Sequence, residues 1–242
     1  MNIRIKQVAF EDLLKSGFLK SGDKCHVESG IIKTTSEGME ISVFQDDAIG
    51  IISILPKNKI EGQIEEGEWF IKNTSRLLKV ISGMSDVLNI KKEDNKLLIT
   101  DGNNSELEYP MSSREFINND FKGTQFEPSS IPYEKEHDIM VDSKMFNKAA
   151  NNTKLLNSET TTLKLEKTVL KFISSDGTDI LKEKLQVNSQ IEAESKYGKY
   201  LLTVNGCLNG FVQLNFQSKF PLKIVSKSDN ITATYYITPV QF

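Results

Sequence analysis

Cysteine and histidine are scarce in this 242-residue chain, which holds only Cys25, Cys207, His26 and His137. Two thiols cannot build a disulfide framework, and no second pair stands at zinc-ligand spacing. We therefore expect two ordinary reduced thiols, no metal and no cofactor. Neither histidine belongs to a Cys-His, His-x-x-x-His or nucleophile-elbow pattern, and Gly-x-x-x-x-Gly-Lys and Gly-x-Gly-x-x-Gly are both absent. The acidic pairs Asp46-Asp47 and Glu65-Glu66 point to opposite faces of a strand and do not converge on an ion. The expectation is a protein that is not an enzyme. Long apolar runs are lacking too. The longest, Ile49 to Leu55, is far too short to span a bilayer, and the opening Met1 to Lys6 alternates like a strand where a signal peptide has an apolar block. A cytoplasmic, non-membrane protein is expected. Positive charge is not in excess, the net charge being −3, which argues against a simple basic nucleic-acid binder.

What is present is β-branched sequence in short stretches. Ile31–Thr34, Met39–Phe44, Ile49–Leu55, Val87–Ile90, Leu97–Thr100, Leu163–Leu165, Val169–Ile173, Val212–Phe216, Leu222–Val225 and Ile231–Ile237 are separated by Gly, Asn, Asp and Ser turns. This pattern predicts a mainly antiparallel β protein. Four segments change to a helical period. Phe10, Leu13, Leu14 and Phe18 form one stripe, and Leu77, Ile81 and Met84 a second behind the cap candidates Asn73, Thr74 and Ser75. Met145, Phe146, Ala149 and Ala150 follow Asp142 or Ser143 as cap, and Tyr197, Tyr200, Leu201 and Val204 form the last. The class is α+β.

The chain also repeats. Leu77-Leu78-Lys79-Val80, Val87 to Ile90 and Leu97-Leu98-Ile99 return as Leu201-Leu202-Thr203-Val204, Val212 to Phe216 and Leu222-Lys223-Ile224, at an offset of 124 residues rising to 125. Self-similarity near half the length predicts two copies of one domain. We place them at 1–113 and 138–242, joined by a connector, 114–137, that holds Pro128 and Pro132. Phe116, Phe121, Phe126, Ile131 and Tyr133 predict that parts of the connector pack on the body.

The stretch Phe220-Pro221-Leu222-Lys223-Ile224 through Thr234-Tyr235-Tyr236-Ile237-Thr238-Pro239 resembles the end of the eukaryotic and archaeal proliferating-cell nuclear antigen. There, a Pro-Leu strand precedes a closing strand that ends Tyr-Tyr, two small or apolar residues, Pro. The block Asp86 to Met111, with its Asn-Ile, Glu-Asp-Asn and Leu-Glu-Tyr-Pro elements, resembles the first domain of T4-type bacteriophage clamps. With the repeat and the connector, the resemblance covers essentially the whole chain. It implies a DNA sliding clamp, with two inner helices and outer antiparallel β-sheets in each domain. Such a protein is a polymerase processivity factor, a homotrimeric ring that encircles and slides on duplex DNA. Its partners would be double-stranded DNA, a DNA polymerase and other replication proteins, a clamp-loader ATPase and itself. Gly-poor loops, and a sequence running to Phe242 without an acidic extension, favour a bacteriophage or viral clamp in the host cytoplasm. Two alternatives stand beside it: a monomeric, non-encircling viral processivity factor, and a β-rich phage structural protein.

If four helices line a DNA hole, they should be basic in an acidic molecule. Windows 9–24, 72–84, 143–154 and 196–205 hold Lys15, Lys20, Lys24, Lys72, Arg76, Lys79, Lys144, Lys148, Lys154, Lys196 and Lys199 against Glu11, Asp12 and Asp23, a net of +8. These are the expected DNA-facing residues, attracting phosphates without reading bases. The resemblance also implies subunit edges at Glu106, Leu107, Glu108 and Tyr109 and at Ile180, Leu181 and Leu185. It implies a partner-peptide groove lined by Ile131, Pro132, Tyr133, Pro221, Tyr236, Ile237, Thr238 and Pro239.

Overall fold

The structure, a computed structural model, describes residues 2–21, 24–45, 48–117 and 128–240. The chain divides into two units, Met1–Gln45 with Ile51–Lys122 and Asp229–Ala233, and Asp46–Gly50 with Gly123–Ser228 and Thr234–Phe242.

In chain order the first unit carries β1 (Asn2–Lys6), α1 (Gln7–Gly17), β2 (Lys20–Ser21), β3 (Lys24–Cys25), β4 (Gly30–Thr35), β5 (Gly38–Gln45), β6 (Ile49–Pro56), β7 (Ile60–Gln63), β8 (Gly67–Ile71), α2 (Thr74–Ile81), β9 (Val87–Glu93), β10 (Lys96–Asp101) and β11 (Glu106–Pro110). Its strands pair in the order β11-β10-β9-β1-β7 and in the order β6-β5-β4-β8. The second unit carries β12 (Asp138–Asp142), α3 (Ser143–Thr153), β13 (Thr161–Glu166), β14 (Val169–Ser175), β15 (Ile180–Gln186), β16 (Glu192–Tyr197), α4 (Tyr200–Val204), β17 (Phe211–Asn215), β18 (Leu222–Lys227) and β19 (Thr232–Ile237). Here the orders are β12-β17-β18-β19 and β15-β14-β13-β16.

The two orders are the same topology. β1-β9-β10-β11 corresponds to β12-β17-β18-β19, and β6-β5-β4-β8 to β15-β14-β13-β16. Each unit runs strand, helix, four-stranded sheet, helix, three strands. The first unit adds the β2–β3 hairpin and β7. The fold is therefore α+β with two similar units, as the sequence repeat predicts.

In α2 and α3 a side-chain cap and one apolar stripe coincide, whereas α1 and α4 rest on their buried stripes without a side-chain cap. In α2 the Asn73 carboxamide oxygen accepts the Arg76 N–H at 2.9 Å, and Leu77, Leu78 and Ile81 are buried. In α3 the Asp142 carboxylate accepts the Met145 N–H at 3.0 Å, and Phe146, Ala149 and Ala150 are buried. Burying one such Leu, Ile or Phe side chain contributes about 1.5–3 kcal/mol, more than the roughly 1 kcal/mol of the cap.

The helices are shorter than the sequence windows. α1 ends at Gly17, so Lys20 and Lys24 lie on the β2–β3 hairpin. Tyr197 closes β16, and α4 begins only at Tyr200, after Gly198. Met145, expected on the apolar face of α3, is 53% exposed. It stands three residues after the cap, and the apolar stripe that faces the core begins one residue later, at Phe146.

Candidate functional site

Several strand cations are neutralised by carboxylates, whereas those of α2 and α3 are not, among the described residues. On the strands, Lys91 and Lys96 pair with Glu93, Lys96 also with Glu108, and Lys164 and Lys171 with Glu166. Arg76 and Lys79 on α2, Lys144 and Lys148 on α3, and Lys154 in the turn after α3 are all exposed. None of these five has a carboxylate ion-pair partner among the described residues. They leave a positive field for a phosphate to meet. Lys79 and Lys20 line one cavity of about 390 Å³ with Ser75 and Ser82.

The remaining members of the expected basic set are placed otherwise. Lys15 pairs with Glu11 at 2.7 Å, Lys196 lies at the end of β16, and Lys199 is the residue before α4, its ammonium 5.2 Å from the centre of the Tyr200 ring. Lys72 precedes α2 and its ammonium is 6.0 Å from the Phe116 ring centre. The Lys24 side chain lies outside the described residues, as do Phe121 and Phe126. Counting only residues within α1–α4, Lys15, Arg76, Lys79, Lys144 and Lys148 stand against Glu11 and Asp12, a net of +3. Helical positive charge is therefore concentrated on α2 and α3.

β11 and β15 are the outer strands of their sheets. On β11, Glu106 and Glu108 face solvent, and on β15, Ile180, Lys182 and Lys184 do so. One edge is acidic and the other basic. Leu107 and Leu181 are half-buried. Tyr109 and Leu185 point into the core of their own unit, because alternate residues of a strand face opposite sides. Their backbone groups face β10 and β14, since the Met111 N–H donates to Asn95 and the Val187 N–H to Thr168 in the same alternation, so the groups open to a partner are those of Glu106 and Glu108 and of Ile180, Lys182 and Lys184. The Tyr109 hydroxyl accepts the Asn73 N–H at 2.9 Å, and burial pushes its phenol above the ordinary value.

β11 is also held from its entry turn. The Asp101 carboxylate accepts the N–H groups of Ser85 at 2.8 Å and of Asn103 and Ser105 at 2.9 Å. The Ser85 bond outweighs the opposing effect of burial, and with the Ser105 and Asn103 bonds it lowers the Asp101 carboxyl from 3.8 to about 2. A depressed carboxyl stabilises the fold above its unfolded-state value and loses that contribution as pH falls through the folded-state value. Asp101→Asn should thus lower the urea midpoint at pH 7. Between pH 4 and pH 2 the gap between the two proteins should close. A gap that persists at pH 2 would show that the carboxylate charge is not what matters.

In the second unit, Tyr133, Pro221 and Tyr236 come together. The Tyr133 hydroxyl donates to the Pro221 carbonyl at 3.3 Å, and the Tyr133 and Tyr236 rings are 5.9 Å apart. The Lys223 ammonium lies 5.0 Å from the centre of the Tyr133 ring. Burial pushes the Tyr133 phenol well above its ordinary value, with Tyr236 and Tyr197 adding to the shift. Pro132 is exposed and Ile131 half-buried beside them. Ile237 is 1% exposed and belongs to the core, since β19 turns it inward. Thr238 donates its N–H to the Ala48 carbonyl at 3.0 Å, and Pro239 bridges to Tyr197. Sequence reasoning missed Lys223, whose place over an aromatic face is a tertiary feature with no local signal.

By sequence, no family model and no curated protein matches the chain. By structure it is similar to the proliferating-cell nuclear antigen of Thermococcus kodakaraensis, with a TM-score of 0.79, 17% identity and 99% of each chain covered. The A. fulgidus antigen, solved with the C-terminal region of FEN-1 bound, gives 0.79 at 14% identity over 100% of this chain and 98% of that one. The antigen of Entamoeba histolytica gives 0.78 at 12% identity, over 99% and 98%. Two units of one topology and full-length likeness agree: the chain has the fold of the proliferating-cell nuclear antigen sliding clamps.

Proposed function

We propose that the chain is a DNA polymerase processivity factor, three copies of which close head to tail into a ring around duplex DNA. The observation that carries this reading is a likeness spanning 98–100% of both chains, so both units take part in it. The unneutralised cations of α2 and α3 support a DNA-facing role. They attract phosphates without base contacts, which leaves the ring free to slide. The acidic β11 and basic β15 support head-to-tail pairing, each edge supplying free backbone groups that call for a partner strand.

The function follows from tethering. A polymerase held to a ring that cannot leave the DNA sees the primer end at high effective concentration, and no chemistry is required of the ring. The Tyr133, Pro221 and Tyr236 cluster is the dock for a short polymerase peptide, its rings giving contact area at low entropic cost. A clamp-loader ATPase opens the ring. A phage or viral source belongs to the same reading, through the T4-type character of Asp86 to Met111.

The direct test is topological. Clamp placed by a loader on nicked circular DNA should be retained, and should be lost once a restriction enzyme linearises the circle. Free protein should have a light-scattering mass near three times 27.3 kDa, about 82 kDa. Retention on linear DNA, or a 27.3 kDa species at all concentrations, would count against the encircling ring.

A further inference from the structure

The internal duplication shows one edge filled in the first unit and open in the second. In the first unit β1 is flanked on both sides. It pairs with β9 in the register Ile3↔Ile90 and Ile5↔Leu88, and with β7 in the register Asn2↔Gln63 and Arg4↔Glu61. The Gln7 N–H donates to Asp86, so by alternation the backbone groups of Asn2 and Arg4 face β7. In the second unit β12 pairs with β17 in the equivalent register, Ile139↔Leu214 and Val141↔Val212. The Ser143 N–H donates to the Gly210 carbonyl in the place of Gln7 and Asp86. Asp138, Met140 and Asp142 thus occupy the positions of Asn2, Arg4 and Lys6.

No strand pairs with the outer edge of β12 among the described residues. The reason is in the chain: β15 and β16 are joined by residues 187–191 alone, whereas β7 is carried on the longer passage from β6 to β8. The N–H and C=O of Met140 point away from β17 and take no hydrogen bond among the described residues. On the exposed face of this edge, Met140 is 55% exposed, and Phe211, opposite Asp142, is 67% exposed.

The charge of the two edges is opposite. Arg4 and Lys6 make the β1 edge cationic, and β7 answers with Glu61, 3.6 Å from Arg4. On β12, Asp138 accepts hydrogen bonds from Gln213 and Asn215, and Asp142 caps α3. Neither has a cationic partner among the described residues. Glu134 and Glu136 are exposed just upstream, adding to the negative field.

We propose that the β12 edge is a docking strand for an extended segment of a partner protein, read by three residues on one face. The segment pairs antiparallel with β12, as β7 does with β1. Its residue opposite Met140 is apolar and rests against Met140 and Phe211. Its residues two before and two after are Lys or Arg, facing Asp138 and Asp142. Ladder bonds give affinity and the alternate side chains give specificity. A second copy of this chain is a poor occupant, because two β12 edges would set acidic residues against each other.

The test uses the full-length chain and a labelled, capped nonapeptide, Ser-Thr-Lys-Thr-Leu-Thr-Lys-Thr-Ser, followed by fluorescence anisotropy. Two controls carry either Glu for both Lys or an N-methyl group on the central Leu amide, which removes the donor aimed at the Met140 carbonyl. The Lys peptide should bind at least tenfold more tightly than either control. Met140→Pro removes only an outward N–H and should abolish binding. Met140→Lys keeps every ladder bond, serves if the proline variant fails to fold, and should weaken binding at least tenfold. Asp138→Asn with Asp142→Asn, which retains a capping side chain, should erase the preference for Lys over Glu. Equal binding of the three peptides, no binding of the Lys peptide, or binding unchanged in Met140→Lys would overturn the proposal. A peptide-free rise in mass that Met140→Pro removes would overturn it in favour of a second copy.

Discussion

Replacing Lys79, Lys144 and Lys148 together by Glu is expected to leave the fold intact and to shorten processive synthesis on primed circular DNA at least tenfold. All three side chains are exposed, opposite the buried faces formed by Leu77, Leu78 and Ile81 on α2 and by Phe146, Ala149 and Ala150 on α3. Surface changes of this kind usually alter stability by no more than about 0.5 kcal/mol each. Their effect on DNA is larger. Neutralising three phosphates gives a salt slope of about −2.7, so a fourfold rise in salt weakens the contact roughly 40-fold. The variant should lose that salt dependence as well as the length of its products. Lys91→Glu with Lys164→Glu and Lys171→Glu, on strands and already ion-paired, is the charge-matched control and should synthesise as the parent does. Equal loss in both variants would mean that the net charge, not the helical face, governs the contact.

Much of this was legible in the sequence, and the parts that were not share a cause. The strands rich in Ile, Val and Leu stand where their alternation puts them, and the 124-residue echo of Leu77 to Ile99 anticipates the common topology of the two units. β16 escaped notice because its buried positions are Ala193, Ser195 and Tyr197, too small or too polar to make an apolar rhythm. Tyr197 fits a helical period with Tyr200 and Leu201 as well as a strand end, and the fold gives it to β16. The helical pattern outruns the helices for the same reason, since lysines after the α1 stripe continue its period while Gly17 ends the helix. At the edges, the sequence marks β11 and β15 as strands, but which of Glu106 to Tyr109 face outward depends on register, and register is set by the partner strand β10. The β12 edge had no sequence signal, because its openness is visible only beside β1 and β7.

Reversing one edge should prevent assembly, and reversing both should restore it. Glu106→Lys with Glu108→Lys makes β11 basic against the Lys182 and Lys184 of β15. Lys182→Glu with Lys184→Glu makes β15 acidic against β11. Both pairs sit at i and i+2 on the solvent face, so they oppose each other when the two strands join one sheet. Cross-strand charge pairs contribute about 0.2–1 kcal/mol when opposite and cost a similar amount when alike, a swing of about 1 kcal/mol per pair. Two pairs at each of three contacts bring the loss to about 6 kcal/mol for a closed ring, enough to shift a micromolar solution from trimer to monomer. Glu108 also meets Lys96 at 3.1 Å, and because both are exposed, losing that pair costs the monomer little. Light scattering should therefore give 27.3 kDa for either double variant and about 82 kDa for the quadruple variant. A quadruple variant that stays monomeric would show that β11 and β15 do not face each other in the assembly. Double variants that remain trimeric would place the closing contact elsewhere.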